Sequence, residues 1–422
     1  MSLKDRIRLR STKMGNQAIL LAAAAVSGQG LLAVAFILAA RWSSPTELGS
    51  VVTAMAVGAM TAGVADFGAS TYWVRELASG RMNSTKLNNL IVTKILLIAP
   101  VFIFVSIVSH AVFPDDTLYW TSGLLGFFIM LNQTFQVPLR GRARGDLASI
   151  VVFMDRAIFF VVFAVTTAVT NNAITALVFG LACGSLSAAV IGNLLTAKAD
   201  RRITGSFRWR NPWAGTVNIG MTNIVLSSQS LDAPLLTLTG GPAATGIYGA
   251  VNKWTEPMSI AANSFTSAAA PYLARSTSLR GAWAHVKPSA WIPLLGCVVA
   301  LLLAGFSGRI VELLLGAAYE SAGPVLMILA LASIPGILNQ FLLTYFQYTS
   351  KDKVAFRVML IAVAVKLGVI SGLGGSLGAL AAAIALATGQ LVQLVLFGLL
   401  LWTGRQSRNS DVAAGPAREK VK

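Results

Sequence analysis

The sequence predicts an all-α polytopic membrane protein, with about 12 transmembrane helices in two six-helix bundles around a central cavity. Three observations predict it. Of the 422 residues, 55% are hydrophobic and only 12% are charged, whereas a soluble domain carries about a quarter charged residues. The apolar residues fall into runs of roughly 20, the length that crosses about 30 Å of hydrocarbon as a helix. All but six of the 33 Lys and Arg residues fall on one side of the membrane once those runs are taken as spans. Backbone polar groups in lipid are satisfied only in helices and closed barrels, and the alternating ten-residue segments of a barrel are absent.

The expected spans are 16–40, 47–66, 89–112, 120–139, 147–169 and 174–195, then 216–239, 243–270, 289–306, 322–345, 358–375 and 378–402. Charge alternates from loop to loop. The loops after the even-numbered spans carry Arg75, Arg81 and Lys86; Arg140, Arg142 and Arg144; Lys198 through Arg210; Arg275, Arg280 and Lys287; and Lys351, Lys353 and Arg357. The loops after odd-numbered spans, such as 170–173 and 240–242, are mostly short and nearly uncharged, and only Arg41 and Arg309 fall on that side. Excess Lys and Arg mark cytoplasmic loops, so both termini are expected in the cytoplasm.

The chain then divides into a basic cytoplasmic N-terminus (1–15), an N-terminal bundle (16–205), a C-terminal bundle (206–402) and a polar, disordered cytoplasmic tail (403–422). The first apolar run is too long for the core of a cleaved signal peptide. The net charge of +17 sits in short loops and tails, where it orients the chain and meets anionic lipid, so no nucleic-acid partner is expected. Cys183 and Cys297 lie isolated within spans and suggest neither a disulfide nor a metal site.

The two halves echo each other. Pro45-Thr46-Glu47-Leu48-Gly49 leads into span 2, and Pro242-Ala243-Ala244-Thr245-Gly246 leads into span 8. Leu131-Asn132-Gln133 in span 4 matches Leu338-Asn339-Gln340 in span 10. After each of the latter comes a basic loop and a span with a mid-helix cation, Arg156 or Lys366. The matches lie six spans apart, an even number, so the halves share one orientation, as in a parallel repeat about an axis along the membrane normal. Substrate is then expected between the halves near the midplane.

Glu47-Leu48-Gly49, then Ala65-Asp66-Phe67-Gly68-Ala69-Ser70 and Val74-Arg75-Glu76, resemble the N-terminal signature of bacterial polysaccharide flippases. In the second half the resemblance continues with Gly241-Pro242 through Gly246-Ile247-Tyr248 and Leu315-Gly316 through Tyr319. It includes Ala322-Gly323-Pro324-Val325-Leu326, Ile328-Leu329-Ala330, Gly378-Ala379 and Ala382-Ala383-Ile384-Ala385. The family is the Wzx-type branch of the multidrug/oligosaccharidyl-lipid/polysaccharide exporter (MOP) superfamily. The resemblance implies flipping of an undecaprenyl-pyrophosphate-linked oligosaccharide to the outer leaflet of a bacterial plasma membrane, for surface polysaccharides such as O-antigen. The partners it implies are the lipid-linked oligosaccharide, membrane lipids, a polysaccharide polymerase and glycosyltransferases.

Charges within spans are costly and usually functional. Four cations lie there: Arg156, Lys253, Lys366 and Lys94. They are the candidates for an anionic headgroup, with Arg156 foremost because a guanidinium binds phosphate oxygens in bidentate fashion. Its neighbour Asp155 is expected on another face, since adjacent helical residues do not face together. Lys253 pairs with Glu256 at i,i+3, either as a bridge within the bundle or as a tuned cation of the cavity. Lys94 is expected one to two turns from the cytoplasmic end of span 3, where its stem can snorkel. Asn132, Gln133 and Gln136 in span 4, and Asn223 and Gln229 in span 7, are candidates for sugar contact or for bonds between helices. Asp232 and Glu256 are candidate ion-coupling residues, and Asp66 is expected to cap a helix or pair with Arg75. Pro100, Pro138, Pro234, Pro257 and Pro335 interrupt spans and can kink them.

A cation-coupled multidrug antiporter of the same superfamily is the alternative function. It needs acidic sites in its cavity, and the spans hold four cations against Asp155, Asp232 and Glu256, which favours an anionic substrate. A polymerase would need a large outer loop, and the longest, 306–322, is short. No P-loop, nucleophile or metal constellation appears, and His110 and His285 lie at span edges. The protein is therefore expected to be no enzyme and to hold no catalytic residue, cofactor or metal.

Overall fold

The computed structural model describes residues 14–113, 118–198, 207–256, 290–348 and 352–413, and the isolated positions 258, 259, 262, 266 and 287. The first half contains α1 (Met14–Arg41), α2 (Pro45–Asp66), α3 (Ala69–Ala78), α4 (Ser84–Val112), α5 (Thr121–Phe135), α6 (Val137–Gly141), α7 (Gly145–Thr170) and α8 (Ala173–Leu195). The second contains α9 (Val217–Ser227), a 3₁₀ turn (Ser228–Leu231), α10 (Asp232–Asn252), α11 (Trp291–Gly305) and α12 (Ser307–Leu315). A second 3₁₀ turn (Ala317–Tyr319), α13 (Ala322–Tyr348), α14 (Asp352–Leu377) and α15 (Ala379–Ala413) complete it.

Among the described residues eight helices are long and apolar enough to cross a membrane: α1, α2, α4, α7, α8, α13, α14 and α15. The pair α11 and α12, bent by 74°, makes a ninth when taken as one span. The other expected spans are interrupted. Span 4 is divided at Gln136 into α5 and α6, where Pro138 sits in the first turn of α6 and needs no N–H. Span 7 is α9, the 3₁₀ turn and the first part of α10. Span 8 begins at Pro242 and passes beyond the described residues, as do Pro257, Arg275 and Arg280. Among the described residues the helices that clear the length test are thus fewer than 12.

Helix ends reach past the apolar runs, because hydropathy marks only the part of a helix that lies in hydrocarbon. Asn83 caps α4, its side chain accepting from the Lys86 N–H at 2.8 Å, so the helix starts five residues before the expected span. α14 starts at Asp352 and α15 runs on to Ala413, well into the expected tail, with no proline between Trp402 and Ala413 to stop it. Two expected loops are amphipathic helices. In α3 the buried residues Ala69, Trp73, Glu76 and Leu77 share one face, and Arg75 points outward. Arg81 donates to Glu76 through Nε and Nη2, each at 2.8 Å, and these bonds hold the Glu76 carboxyl below its ordinary pKa. The loop 306–322 holds α12.

The halves meet where α2 crosses α10. Ser44 and Glu47 form a capping box: the Glu47 N–H donates to Ser44 Oγ at 3.3 Å and the Ser44 N–H to Glu47 Oε2 at 2.8 Å. This sets the direction in which α2 starts at Pro45. On the other side Gly241, at φ 86 and ψ 165, takes a conformation open essentially only to glycine. It turns the chain tightly from span 7 into span 8 at Pro242. The starts of spans 2 and 8 then pack reciprocally. A Cβ on Gly49 would lie 1.8 Å from the Pro242 carbonyl oxygen, and one on Gly246 would lie 1.7 Å from the Pro45 carbonyl oxygen. Each glycine touches the proline of the other's repeat, as residues about a two-fold axis must. Thr53, Thr237 and Thr245 join their hydroxyls across this crossing at 2.5 and 2.7 Å. Leu48, Val51 and Ala54 of α2 are fully buried here, with Ala250 and Val251 of α10.

Replacing Gly246 by Ala is expected to destabilise the protein by about 1–3 kcal/mol through overpacking, read as a lower unfolding midpoint in detergent. Gly368→Ala, where a Cβ would meet nothing within 4 Å, leaves the midpoint unchanged. Equal midpoints for the two variants would refute the crossing.

Candidate functional site

Below the crossing, towards the end of the molecule that carries the basic loops, the halves part around a cavity of about 650 Å³. That volume falls within the roughly 300–1,000 Å³ of ordinary ligand sites. Gln29 and Phe36 of α1 line it, as do Lys253 and Glu256 of span 8. The repeat is written into its walls. Gln133 and Gln340, equivalent positions in the two halves, both line it, as do the mid-span cations Arg156 and Lys366.

Three cations and three carboxylates line the cavity among the described residues, so its walls are close to neutral rather than cationic. Lys253 Nζ is hydrogen-bonded to Glu256 Oε1. Lys366 Nζ donates to Asp232 Oδ2 and to the Gln229 carbonyl oxygen, both at 2.9 Å. Asp232 also accepts from the Tyr248 hydroxyl at 2.9 Å and from the Ala233 N–H at 2.8 Å. The third pair is loose. Arg156 Nε stands 3.9 Å from Asp155 Oδ2, beyond hydrogen-bond distance, and no hydrogen bond engages its guanidinium among the described residues. Both residues line the cavity, although adjacent helical positions were expected on different faces: both lie at the edge of the wall that α7 presents.

Asp155 is held from elsewhere. Arg140 Nη2 donates to Gln136 Oε1 at 2.7 Å, Gln136 Nε2 to Asn132 Oδ1 at 2.8 Å, and Asn132 Nδ2 to Asp155 Oδ2 at 3.3 Å. Ser185 Oγ adds a donor to Asp155 Oδ1 at 3.4 Å. Every bond in this ladder points the same way, and its dipoles converge on the buried carboxylate. The ladder supplies the polar partners that burial of a charge demands, and the guanidinium of Arg156 keeps only the 3.9 Å contact with Asp155 among the described residues.

Of the expected site residues, Arg156, Lys253, Lys366, Asp232, Glu256, Asn132, Gln133 and Gln229 line the cavity. Three do not. Gln136 is a buried rung of the ladder. Asn223 donates to the Gly63 carbonyl oxygen at 2.8 Å, in a closed seam between α2 and α9. There a Cβ on Gly63 would lie 1.9 Å from Ser227 Oγ, and Trp213 Nε1 donates to the Ala65 carbonyl oxygen at 3.0 Å.

Lys94 is the third. Its side chain is fully buried and ion-paired with Asp66, donates to Thr134 Oγ1 at 3.0 Å and lies over the Trp73 ring, 5.3 Å from the centroid. It neither snorkels nor reaches the cavity. Because α4 starts at Ser84, Lys94 is about 15 Å along the helix, too deep for its stem to reach water. Asp66 accepts from the Ser70 N–H in the first turn of α3 at 3.2 Å, and its cation is Lys94. Arg75 pairs with Glu76 instead, at 3.4 Å.

The cavity adds residues that reading the sequence passed over: Gln29, Ser185, Tyr248, Asn252 and Gln390. Gln29 was visible as a lone amide in a long apolar run, and Gln390 with Gln393 as a pair of amides in another. Nothing in the local sequence distinguishes Tyr248 from a core aromatic.

Lys94→Met is expected to cost about 3–5 kcal/mol, because it strands the Asp66 carboxylate in a buried site. Adding Asp66→Asn should recover much of that loss. The unfolding midpoints of both variants in detergent check it, and a double variant no more stable than the single one would exclude the pairing.

No protein-family model matches the chain and no curated protein sequence matches it. Among solved structures it is similar to an inward-facing multidrug-resistance MATE family transporter of the MOP superfamily. The TM-score is 0.71 at 14% identity, covering 95% of this chain and 100% of the other. It is similar to the lipid II flippase MurJ in an inward closed conformation, with TM-score 0.71, 14% identity and coverage of 90% and 86%. It is also similar to a MOP superfamily transporter from Pyrococcus furiosus whose binding-pocket polarity is described as reversed, with TM-score 0.62, 14% identity and coverage of 94% and 97%. These neighbours are transporters and a flippase rather than enzymes, and the chain has their fold, a multi-pass helical membrane fold.

Proposed function

We propose that the protein flips a polyprenyl-pyrophosphate-linked oligosaccharide from the inner to the outer leaflet of a bacterial plasma membrane, for a surface polysaccharide, by alternating access. The basic end is then cytoplasmic, with both termini there. One observation carries the reading: Arg156 presents a guanidinium on the cavity wall that no protein acceptor engages among the described residues. A pyrophosphate moving into the cavity loses water, and desolvation of charge is costly unless it is paired. Arg156 offers the bidentate fork that phosphate oxygens fit.

Lys253 and Lys366 are already bonded to Glu256 and Asp232, so they serve as secondary cations, released only if those pairs open. Lys94 has no part in the site. Gln133, Gln229 and Gln340 present amides to sugar hydroxyls. The prenyl tail stays in lipid. The closed seam between α2 and α9 leaves the side lined by α1 and span 8 as the passage to lipid. The resemblance of the sequence to polysaccharide flippases and the likeness of the fold to MurJ agree with this direction of reading. A polymerase and glycosyltransferases are the partners expected to share the substrate.

A second reading is a cation-coupled antiporter. Three carboxylates line the cavity, and Asp155 has only a loose cationic partner, so a cationic substrate would take the place opposite it.

A vesicle assay separates the two. With a fluorescent pyrophosphate-linked oligosaccharide, wild type is expected to move label between leaflets. A charge-assisted hydrogen bond contributes about 1.5–3 kcal/mol, so Arg156→Ala should slow transfer by at least about tenfold, with partial retention in Arg156→Lys. Export of a cationic dye down an ion gradient without oligosaccharide transfer, lost in Asp155→Asn, would establish the antiporter instead.

A further inference from the structure

A second pocket, of about 260 Å³, lies at the basic end of the molecule between α3, the first turns of α4 and the segment that leads from the first half into α9. Tyr72, Trp73, Met82 and Leu90 form an apolar floor, and Lys86 and Arg210 stand at its edge. Both cations are exposed, and no protein carboxylate pairs with either among the described residues. The nearby Arg75 and Arg81 are occupied by Glu76.

The wall that carries Arg210 is held in place. Asn211 Oδ1 accepts from the Trp213 N–H at 2.9 Å, and the Trp213 indole is anchored on the Ala65 carbonyl oxygen. Gly215, at φ +83, lies against Tyr72: a Cβ there would be 2.8 Å from the Tyr72 hydroxyl oxygen. Aromatic and apolar groups below two cations, at the level where the first turns of a span leave hydrocarbon, match the top of a phospholipid, with its acyl chains inward and its phosphate outward.

We propose that this pocket binds an anionic phospholipid, its phosphodiester held between Lys86 and Arg210 and the upper part of its acyl chains on the Tyr72–Leu90 floor. Lys86 belongs to the first half and Arg210 to the connection into the second. The bound headgroup therefore ties the first half to the connection into the second at the basic end. The site is separate from the central cavity, shares no residue with it, and stands whatever that cavity transports.

Native mass spectrometry of the full chain in detergent tests it, with phosphatidylglycerol and phosphatidylcholine as the probes. Phosphatidylglycerol is expected to bind more tightly. Each cation near a headgroup contributes about fivefold, so Lys86→Gln with Arg210→Gln should weaken the first phosphatidylglycerol adduct by roughly 25-fold. Lys353→Gln, a basic substitution in the other half, should leave it unchanged. Unfolding midpoints confirm that the variants fold. Equal binding of the two lipids, or undiminished binding in the double variant, would overturn the proposal. Displacement of phosphatidylglycerol by millimolar inorganic phosphate would overturn the lipid assignment and make the pocket a site for soluble phosphate.

Discussion

Gly49 and Gly246 bring α2 and α10 closer than any side chain would allow, and the arrangement of the two halves depends on that approach. The contact is reciprocal, each glycine meeting the carbonyl of the other's repeat proline. In a membrane there is little hydrophobic drive between helices, so close backbone approach through small residues supplies the attraction. A capping box at Ser44 and Glu47 aims the start of span 2, and a glycine-only conformation at Gly241 aims the start of span 8. With one end of the interface clamped in this way, the halves separate towards the basic end, and the cavity is what remains between them.

The walls of that cavity show why counting charges along a chain misjudges a site. The spans carry more cations than acids, but the excess comes from Lys94, which is spent on Asp66 inside the first half. What remains among the described residues is three of each sign. Two of these pairs are closed by short hydrogen bonds, and the third is left open because Asp155 draws its partners from Asn132 and Ser185 instead of from Arg156. A buried carboxylate bonded to neutral donors stands beside a guanidinium that makes no hydrogen bond among the described residues, and this is a polarised arrangement. On the proposed reading an anion at the guanidinium would displace only the loose 3.9 Å contact with Asp155, whereas Lys366 would have to give up Asp232.

The two seams flanking the cavity are not equivalent despite the repeat. α2 is closed against α9 by Asn223, Ser227 and the Trp213 anchor, whereas α1 and the described part of span 8 both line the cavity. The sequence of the connection between the halves breaks the symmetry, since Trp213 has no counterpart where the chain leads into α1. A lipid-attached ligand needs such a one-sided opening, because its tail must remain in hydrocarbon while its head occupies the polar cavity.

The class of the fold, the near-positions of the spans, the parallel repeat and the mid-span cations were legible in the sequence. Hydrocarbon imposes its length and polarity on each segment separately, so these are local properties. Helix ends were less so: Ser84 and Asp352 start helices in polar stretches of sequence, where apolar content no longer marks them. α3 and α12 were hidden because an amphipathic helix at an interface reads as a polar loop to a hydropathy window. Which charged residues lie within spans was legible in the sequence, and their partners were not. Arg156, Lys253 and Lys366 were named by their depth alone. That Lys94 would meet Asp66, that Asp232 would meet Lys366, and that Gln136 would support Asn132 rather than face a ligand depends on which helices pack side by side. The sequence by itself determined what each span could bear in lipid. Only the tertiary structure decided which charges cancel, because pairing energy falls with distance and distance is set by packing between segments far apart in the chain.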